Sequence, residues 1–232
     1  MHRVDAADFK RRAAERALAF VRSGQVVGLG TGTTAAYAIT GLARRVEQEG
    51  VRIVGVPTSD ASARMARDLG IPLRDLNDVD QIDVTIDGAD QVDPSFSLIK
   101  GAGGAHTREK LVARASRLEI IIIDAGKLVS QLGGDVPVPV EVLPFGWRTA
   151  QRGLESLGCT ATMRRTGESP FVTDNGNYVV DCRFAGIDDP AALEQRIKLL
   201  PAVVESGLFV GLTGVLVVAG PDGLQVRETG AQ

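Results

Sequence analysis

Val26-Val27-Gly28-Leu29-Gly30-Thr31-Gly32-Thr33-Thr34 sets a short β-branched run against a turn of glycine and threonine. The turn opens into the Ala-, Ile- and Leu-rich helical pattern of Thr34 to Gln48. A buried strand that ends in glycines and restarts as a helix is the repeating unit of a parallel α/β sheet. Upstream, a helix is expected from about Ala7 to Ser23. Downstream, Val51 to Val56 reads as a strand, and Ser59 to Leu69 as a helix with a hydroxyl at its N-cap. Val84-Thr85-Ile86 and Glu119 to Ile123 are apolar enough for inner strands, with a helix between them from Gly103 to Ser116.

The rhythm changes near Pro137. Val138 to Leu143, Trp147 to Leu157, Thr160 to Arg165, Tyr178 to Phe184, Pro190 to Leu199 and Val203 to Phe209 spell strand, helix, strand, strand, helix, strand, the ferredoxin-like order. Asp174-Asn175-Gly176-Asn177 supplies residues that tolerate positive φ between the middle strands. Val215 to Val218 and Leu224 to Val226, around Pro221-Asp222-Gly223, predict a strand pair that returns to the first sheet. The fold class is therefore α/β, a Rossmann-like parallel-sheet domain (1–132 plus 208–232) with an inserted ferredoxin-like α+β domain (133–207).

Composition narrows the function. The 232 residues are 44% hydrophobic and 24% charged, with 26 Lys and Arg against 29 Asp and Glu. The net charge of -3 leaves no excess of cations to track phosphate backbones, so no nucleic-acid partner is expected. Two cysteines, Cys159 and Cys182, and two histidines, His2 and His106, lack metal-ligand or redox spacing. A reducing compartment and metal-free chemistry are the resulting expectations. No apolar run is long enough to cross a bilayer, and the N-terminal segment lacks a signal-like core, so the chain reads as cytoplasmic with no membrane partner.

In a parallel sheet, ligands collect beyond the carboxyl ends of the strands. Four segments lie there. Gly28 to Thr34 offers amides and hydroxyls for a phosphate at a helix N-terminus. It is neither a P-loop, since no Gly-Lys-Ser/Thr follows, nor a dinucleotide fingerprint, since position 33 is Thr. Asp87-Gly88-Ala89-Asp90 places two carboxylates three apart, suited to exchanging protons with sugar hydroxyls; by itself it reads better as an ordinary turn. Lys100-Gly101-Ala102-Gly103-Gly104 leads into a helix whose early turns hold Glu109, a set suited to a developing oxyanion and a base. Taken alone, Glu109 is a routine helix-start acid, and Arg108 and Lys110 are solvated surface charges. Lys127, after Asp124-Ala125-Gly126, reads as a surface lysine or as a cation for a phosphate or carboxylate. His106 is left without a role. If the four loops share one crevice, its content points to sugar-phosphate chemistry by proton transfer.

These stretches resemble the A-type ribose-5-phosphate isomerases. The likeness extends to Arg108-Glu109-Lys110, Pro139 to Gly146, Thr173 to Asn177 and Glu205 to Phe209, in family order over nearly the whole chain. The resemblance implies reversible conversion of D-ribose 5-phosphate to D-ribulose 5-phosphate through a cis-enediolate, in the non-oxidative pentose phosphate pathway, without metal or organic cofactor. Carried over by motif, Glu109 is the proton acceptor and donor, with Asp87, Asp90 and Lys100 also catalytic. Thr31, Gly32, Thr33, Thr34, Asp87, Gly88, Ala89, Asp90, Lys100, Gly101, Ala102, Gly103 and Lys127 are implied substrate contacts, and Lys10 a phosphate contact. The resemblance also implies a homodimer or homotetramer. Departures from the family pattern are Thr33 for Ser, Gln91 for an acid, Gly126 for Ser, and Ala102 for Gly, which requires Ala102 to avoid positive φ. A deaminase-like sugar-phosphate enzyme and a non-catalytic sugar-phosphate sensor are the competing readings; the Asp87–Asp90 and Lys100–Lys110 segments oppose the first and Glu109 the second.

Overall fold

Short apolar strands become stable only by laddering together, and here they form two separate systems of sheets. The computed structural model describes residues 3–229. They fall into two compact units: 1–89, 108–127 and 212–232 contain the first, and 90–107 with 128–211 the second.

In the first unit a six-stranded sheet runs in the order Gly223–Glu228, Val215–Gly220, Glu119–Asp124, Val84–Asp87, Val26–Leu29, Val54–Pro57. All neighbours are parallel except the terminal hairpin, where Gly220 pairs with Gly223 across Pro221 and Asp222. The register sets Leu29 beside Ile86 and Asp87 beside Ile121, so both ligand-side loops leave from neighbouring strand ends. Ile120, Ile121, Ile122 and Ile123 are all buried, as expected of an inner strand covered on both faces. Helices α1 (Arg3–Ala17), α2 (Thr33–Glu49) and α3 (Asp60–Asp68) belong to this unit, as does most of α4 (His106–Arg114). Phe9, Ala13 and Ala17 of α1 and Ile39 and Leu42 of α2 join Val27, Ile86 and Ile120 in one core. Ser59 caps α3 in a reciprocal box with Ser62, the arrangement its hydroxyl predicts. Gly50 ends α2 in the left-handed conformation, φ 67°.

In the second unit the antiparallel sheet Val203–Ser206, Val138–Val142, Tyr178–Arg183, Thr160–Met163, with α5 (Trp147–Glu155) and α6 (Pro190–Lys198), has the ferredoxin-like order. Val138, Val140, Val142, Leu154, Val180 and Ile197 share its core. A three-stranded sheet, Leu208–Phe209, Leu98–Ile99, Gln91–Val92, completes the unit.

That small sheet moves the boundaries away from 1–132 plus 208–232 and 133–207. Leu98–Ile99 pairs with Leu208–Phe209, Val129 N–H donates to Val92 O, and the Gln91 side chain bonds both polar groups of Gly133. Residues 90–107, 128–132 and 208–211 therefore cluster with the second unit. Two-residue strands carry too little periodicity to be read as ladder partners. For the same reason Val203 to Phe209 divides at Gly207, where an added Cβ would lie 2.1 Å from Lys100 O. Thr160 to Arg165 likewise stops at Met163 and continues as a separate hairpin of Arg165–Thr166 with Ser169–Pro170. Among the described residues no helix is long and apolar enough to cross a membrane.

Candidate active site

The loop after Val26–Leu29 is tied to the neighbouring strand end. Gly30 N–H donates to Ile86 O at 3.1 Å, and a Cβ on Gly30 would lie 2.3 Å from Asp87 Oδ1. Only glycine permits that approach. Asp87 is 1% exposed, and its Oδ1 accepts the N–H of Thr31 at 3.1 Å and of Gly88 at 2.7 Å. One carboxylate oxygen thus joins two of the four predicted segments.

The hydroxyl of Thr31 lies 2.7 Å from Thr58 Oγ1 and donates to Ser59 Oγ at 2.8 Å. That hydroxyl braces the loop from behind. Gly32 and Thr33 are exposed and Thr34 half-buried, and Gly32 takes φ 99° as the N-cap of α2 with no side-chain cap bond. The first amides of this 17-residue helix therefore offer donors of the kind an anion takes. Lys10 reaches the same place from α1, its Nζ donating to Thr33 Oγ1 at 3.0 Å. Beside the loop lies a cavity of about 300 Å³ lined by Gly30 to Thr33, Ile39 and Met65 among others.

Lys127 ends a single 3-10 turn, Ala125–Lys127, after the strand Glu119–Asp124, and is half-buried. Glu109 occupies the first turn of α4 and is 5% exposed, in place of the solvated position an ordinary helix-start acid takes. Its neighbours correct the expectation of two surface charges. Lys110 is 2% exposed, while Arg108 does reach the surface and pairs with Asp60 at 2.8 Å.

In the second unit, half-buried Asp90 accepts the Ala102 N–H through Oδ2 at 2.9 Å. Lys100 is buried, its N–H donates to Gly207 O, and its Nζ lies 5.3 Å from the centre of the Phe209 ring. Gly101 turns at φ 106°, where a Cβ would stand 2.8 Å from His106 Cβ and Nδ1. His106 is itself fully buried, with Nε2 3.3 Å from Glu205 O. Ala102 is absent from the residues with positive φ, as its Cβ requires, and with Gly103 it is exposed.

Glu141 is a polar centre that the sequence reading passed over. It is 0% exposed, and its carboxylate accepts from Thr107 Oγ1 at 2.5 Å, Thr173 Oγ1 at 3.0 Å, Asn175 Nδ2 at 3.1 Å and Asn177 Nδ2 at 2.7 Å. Neutral donors satisfy this buried charge without a cation. They tie the Thr173–Asn177 turn to the start of α4, two residues before Glu109. The only signal in the chain was one acid inside the apolar run Val138 to Leu143.

Comparison with known proteins agrees over the whole length. Residues 54–223 match the family model for ribose 5-phosphate isomerase A (phosphoriboisomerase A). A curated relative, ribose-5-phosphate isomerase A of Gloeobacter violaceus, is 51% identical over 223 residues, 96% of each chain. Its counterpart in Synechococcus sp. is 49% identical over 224 residues, covering 96% of this chain and 97% of the relative. Among solved structures, the ribose 5-phosphate isomerase of Plasmodium falciparum superposes with a TM-score of 0.94 at 38% identity, over 97% of this chain and 100% of that one. A D-ribose-5-phosphate isomerase in complex with phospho-erythronic acid gives the same TM-score and identity, over 97% and 99%.

Proposed function

The chain belongs to the ribose 5-phosphate isomerase A family, enzymes that interconvert D-ribose 5-phosphate and D-ribulose 5-phosphate. We propose that it does so through a cis-enediolate, with Glu109 as the group that moves the carbon-bound proton. After ring opening, with Asp87 or Asp90 handling a hydroxyl proton, Glu109 takes the C2 proton and returns it to C1 on the same face. O2 gives up its hydroxyl proton as O1 gains one, so aldose becomes ketose with no net proton or electron lost, and one carboxylate serves both transfers at carbon.

A proton alpha to a carbonyl is a weak acid, and the enediolate oxygens need stabilisation as charge develops. Lys100 and the amides of the Gly101–Gly103 loop are the donors in this reading. The phosphate end belongs to Gly32, Thr33, Thr34, the amides of α2, and Lys10, with Lys127 as a further cation. Holding that remote group supplies positioning energy for the reacting carbons. A phosphorylated sugar acid bound by a solved relative is the kind of anion such a site takes.

The observation that carries the reading is the burial of Glu109 in the first turn of α4. The direct test is incubation with ribose 5-phosphate in the presence of a chelator, following ketose formation. Turnover that survives chelation supports metal-free acid–base catalysis. Turnover lost on chelation and restored by metal overturns it, and no activity on any pentose phosphate revives the sensor reading.

We also assign catalysis to the parallel-sheet unit with its ligand loops, and oligomerisation to the α+β unit. Phe145, 94% exposed, Leu199, 84% exposed, and Leu143 belong to two segments joined by the Leu143 N–H to Ala202 O bond. An apolar patch of this kind suits a self-complementary contact in a homodimer or homotetramer. Light scattering should give a multimeric mass, and Phe145→Asp should lower it. The free thiols Cys159 and Cys182 suit the reducing cytoplasm, where the pentose phosphate pathway runs.

A further inference from the structure

Arg164 lies outside every segment given a site role above, yet its guanidinium reaches the glycine loop. It follows the strand Thr160–Met163, and its backbone N–H bonds Val179 O at 2.8 Å. Nε and Nη2 hold Asp181 in a two-bond fork, at 2.9 Å to Oδ2 and 2.5 Å to Oδ1. Nη1 then donates to two successive backbone carbonyls, Gly101 O and Ala102 O, at 3.0 Å each. Arg164 Cζ lies 5.7 Å from the centre of the Phe171 ring, which fills the space where a side chain on Gly104 would go. Such a planar fork holds one orientation far better than a flexible ammonium.

Peptide geometry turns this contact into a statement about the loop's other face. The described peptides are all trans, so within each peptide plane the N–H points opposite to the carbonyl. With Gly101 O drawn to Arg164, the Ala102 N–H must point away, and it does, to Asp90 Oδ2 at 2.9 Å. With Ala102 O drawn to the same nitrogen, the Gly103 N–H is directed to the Asp90 side as well. The Ala102 N–H is thereby taken up by Asp90, which leaves the Gly103 N–H as the donor turned to that side. Gly101 O is also held by the Gly104 N–H at 2.9 Å, whereas among the described residues Ala102 O accepts from Arg164 alone. Glycine at 103 makes a flip of the Ala102–Gly103 peptide sterically cheap, and a flip would present a carbonyl oxygen where an N–H had been.

We propose that Arg164, locked by Asp181, is a positioning residue that holds the Ala102–Gly103 peptide so that the Gly103 N–H stays a donor to the enediolate oxyanion while the Ala102 N–H anchors the loop to Asp90. The proposal rests on the reading of this loop as the oxyanion donor set.

The test compares wild type, Arg164→Ala and Arg164→Lys for kcat, KM and Tm with ribose 5-phosphate. Removing an oriented oxyanion donor costs on the order of 10²-fold in kcat. Arg164→Ala should fall by about that factor, with KM within a few-fold and Tm near that of wild type. Arg164→Lys should regain only part, because one ammonium cannot span Asp181 and both carbonyls. Guanidinium chloride at a non-denaturing millimolar concentration should raise the kcat of Arg164→Ala, whereas methylammonium chloride should not. That rescue is a readout that a merely structural loss does not give.

Wild-type kcat in either variant overturns the proposal. So does a kcat loss in Arg164→Ala that tracks a lower Tm and is untouched by guanidinium. If Arg164→Ala does not fold, Arg164→Lys decides: lowered kcat at unchanged Tm supports the proposal, and unchanged kcat overturns it. The wild type separates the two levels. An inert wild type overturns the isomerase reading and this proposal together, while an active wild type with indifferent variants overturns this proposal alone.

Discussion

Two glycine-rich loops carry the proposed substrate contacts of this molecule, and they are held in different ways. Gly30 to Thr34 leaves a parallel sheet whose register sets its path. Gly30 N–H bonds Ile86 O, and Asp87, at the end of the adjacent strand, accepts Thr31 N–H. Lys100 to Gly104 leaves a strand only two residues long. Its path is set by side chains from distant segments: Arg164 on two carbonyls, Asp90 on an amide, Phe171 against Gly104. A loop set by register resists the loss of one side chain but not a change of backbone space. A loop set by side chains has the opposite weakness.

The largest expected effect leaves both loops alone. Glu109→Gln keeps size and hydrogen-bonding capacity but cannot take a proton from carbon, so kcat should drop about 10³–10⁴-fold while substrate binding persists. Stopped assays with calorimetric binding of ribose 5-phosphate check both halves. Turnover near wild type would remove Glu109 from the role and leave the mechanism without its base.

Next comes the side-chain side of the contrast. Glu141→Ala leaves Thr107, Thr173, Asn175 and Asn177 facing a cavity in place of a carboxylate. Unsatisfied buried donors together with that cavity should cost about 3 kcal/mol or more of stability. Urea unfolding measures it, and a loss below about 1 kcal/mol would mean that the network is not the anchor of α4's first turn.

What could be read from the chain divides along the same line. The strand ends carrying Gly30, Asp87 and Asp124 follow from apolar runs punctuated by glycine and acid, because register follows from burial. The ferredoxin-like order was equally legible from spacing. Arg164, Asp181 and Glu141 were not, because a lone charge in or beside a strand reads as solvent-facing until its partners, 17 to 63 residues away, are known. The two-residue ladder of Leu98–Ile99 with Leu208–Phe209 escaped for a similar reason, and with it the extent of each unit. Lys110 looked like surface charge because the short run Arg108-Glu109-Lys110 carries no apolar cue to its burial.

The register side is probed by Gly30→Ala. The added Cβ would fall 2.3 Å from Asp87 Oδ1 and 2.6 Å from Ile86 O, and a strand backbone in the middle of a parallel sheet cannot step aside. Overpacking of this kind costs about 1–3 kcal/mol. The displaced Asp87 should also raise KM for ribose 5-phosphate, because the amides of Thr31 and Gly88 lose their common acceptor. An unchanged melting curve would show that the loop is held less by register than the comparison requires.

The smallest effect supplies the baseline that gives the others meaning. Arg108 and Asp60 pair at 2.8 Å, but their side chains are 35% and 57% exposed, so water competes for both charges and salt screens what remains. Asp60 also stands in the first turn of α3, where the helix dipole favours an acid. Both contributions are small, and Asp60→Ala should cost about 1 kcal/mol or less in urea unfolding, with less difference still in high salt. Since Arg108 adjoins Glu109 in α4, the kcat of Asp60→Ala separates two ideas of how that helix is held. If the surface pair mattered for the base, kcat would fall along with it. An unchanged kcat here, beside a large loss in Glu141→Ala, would assign control of α4's first turn to the buried carboxylate rather than to the exposed ion pair.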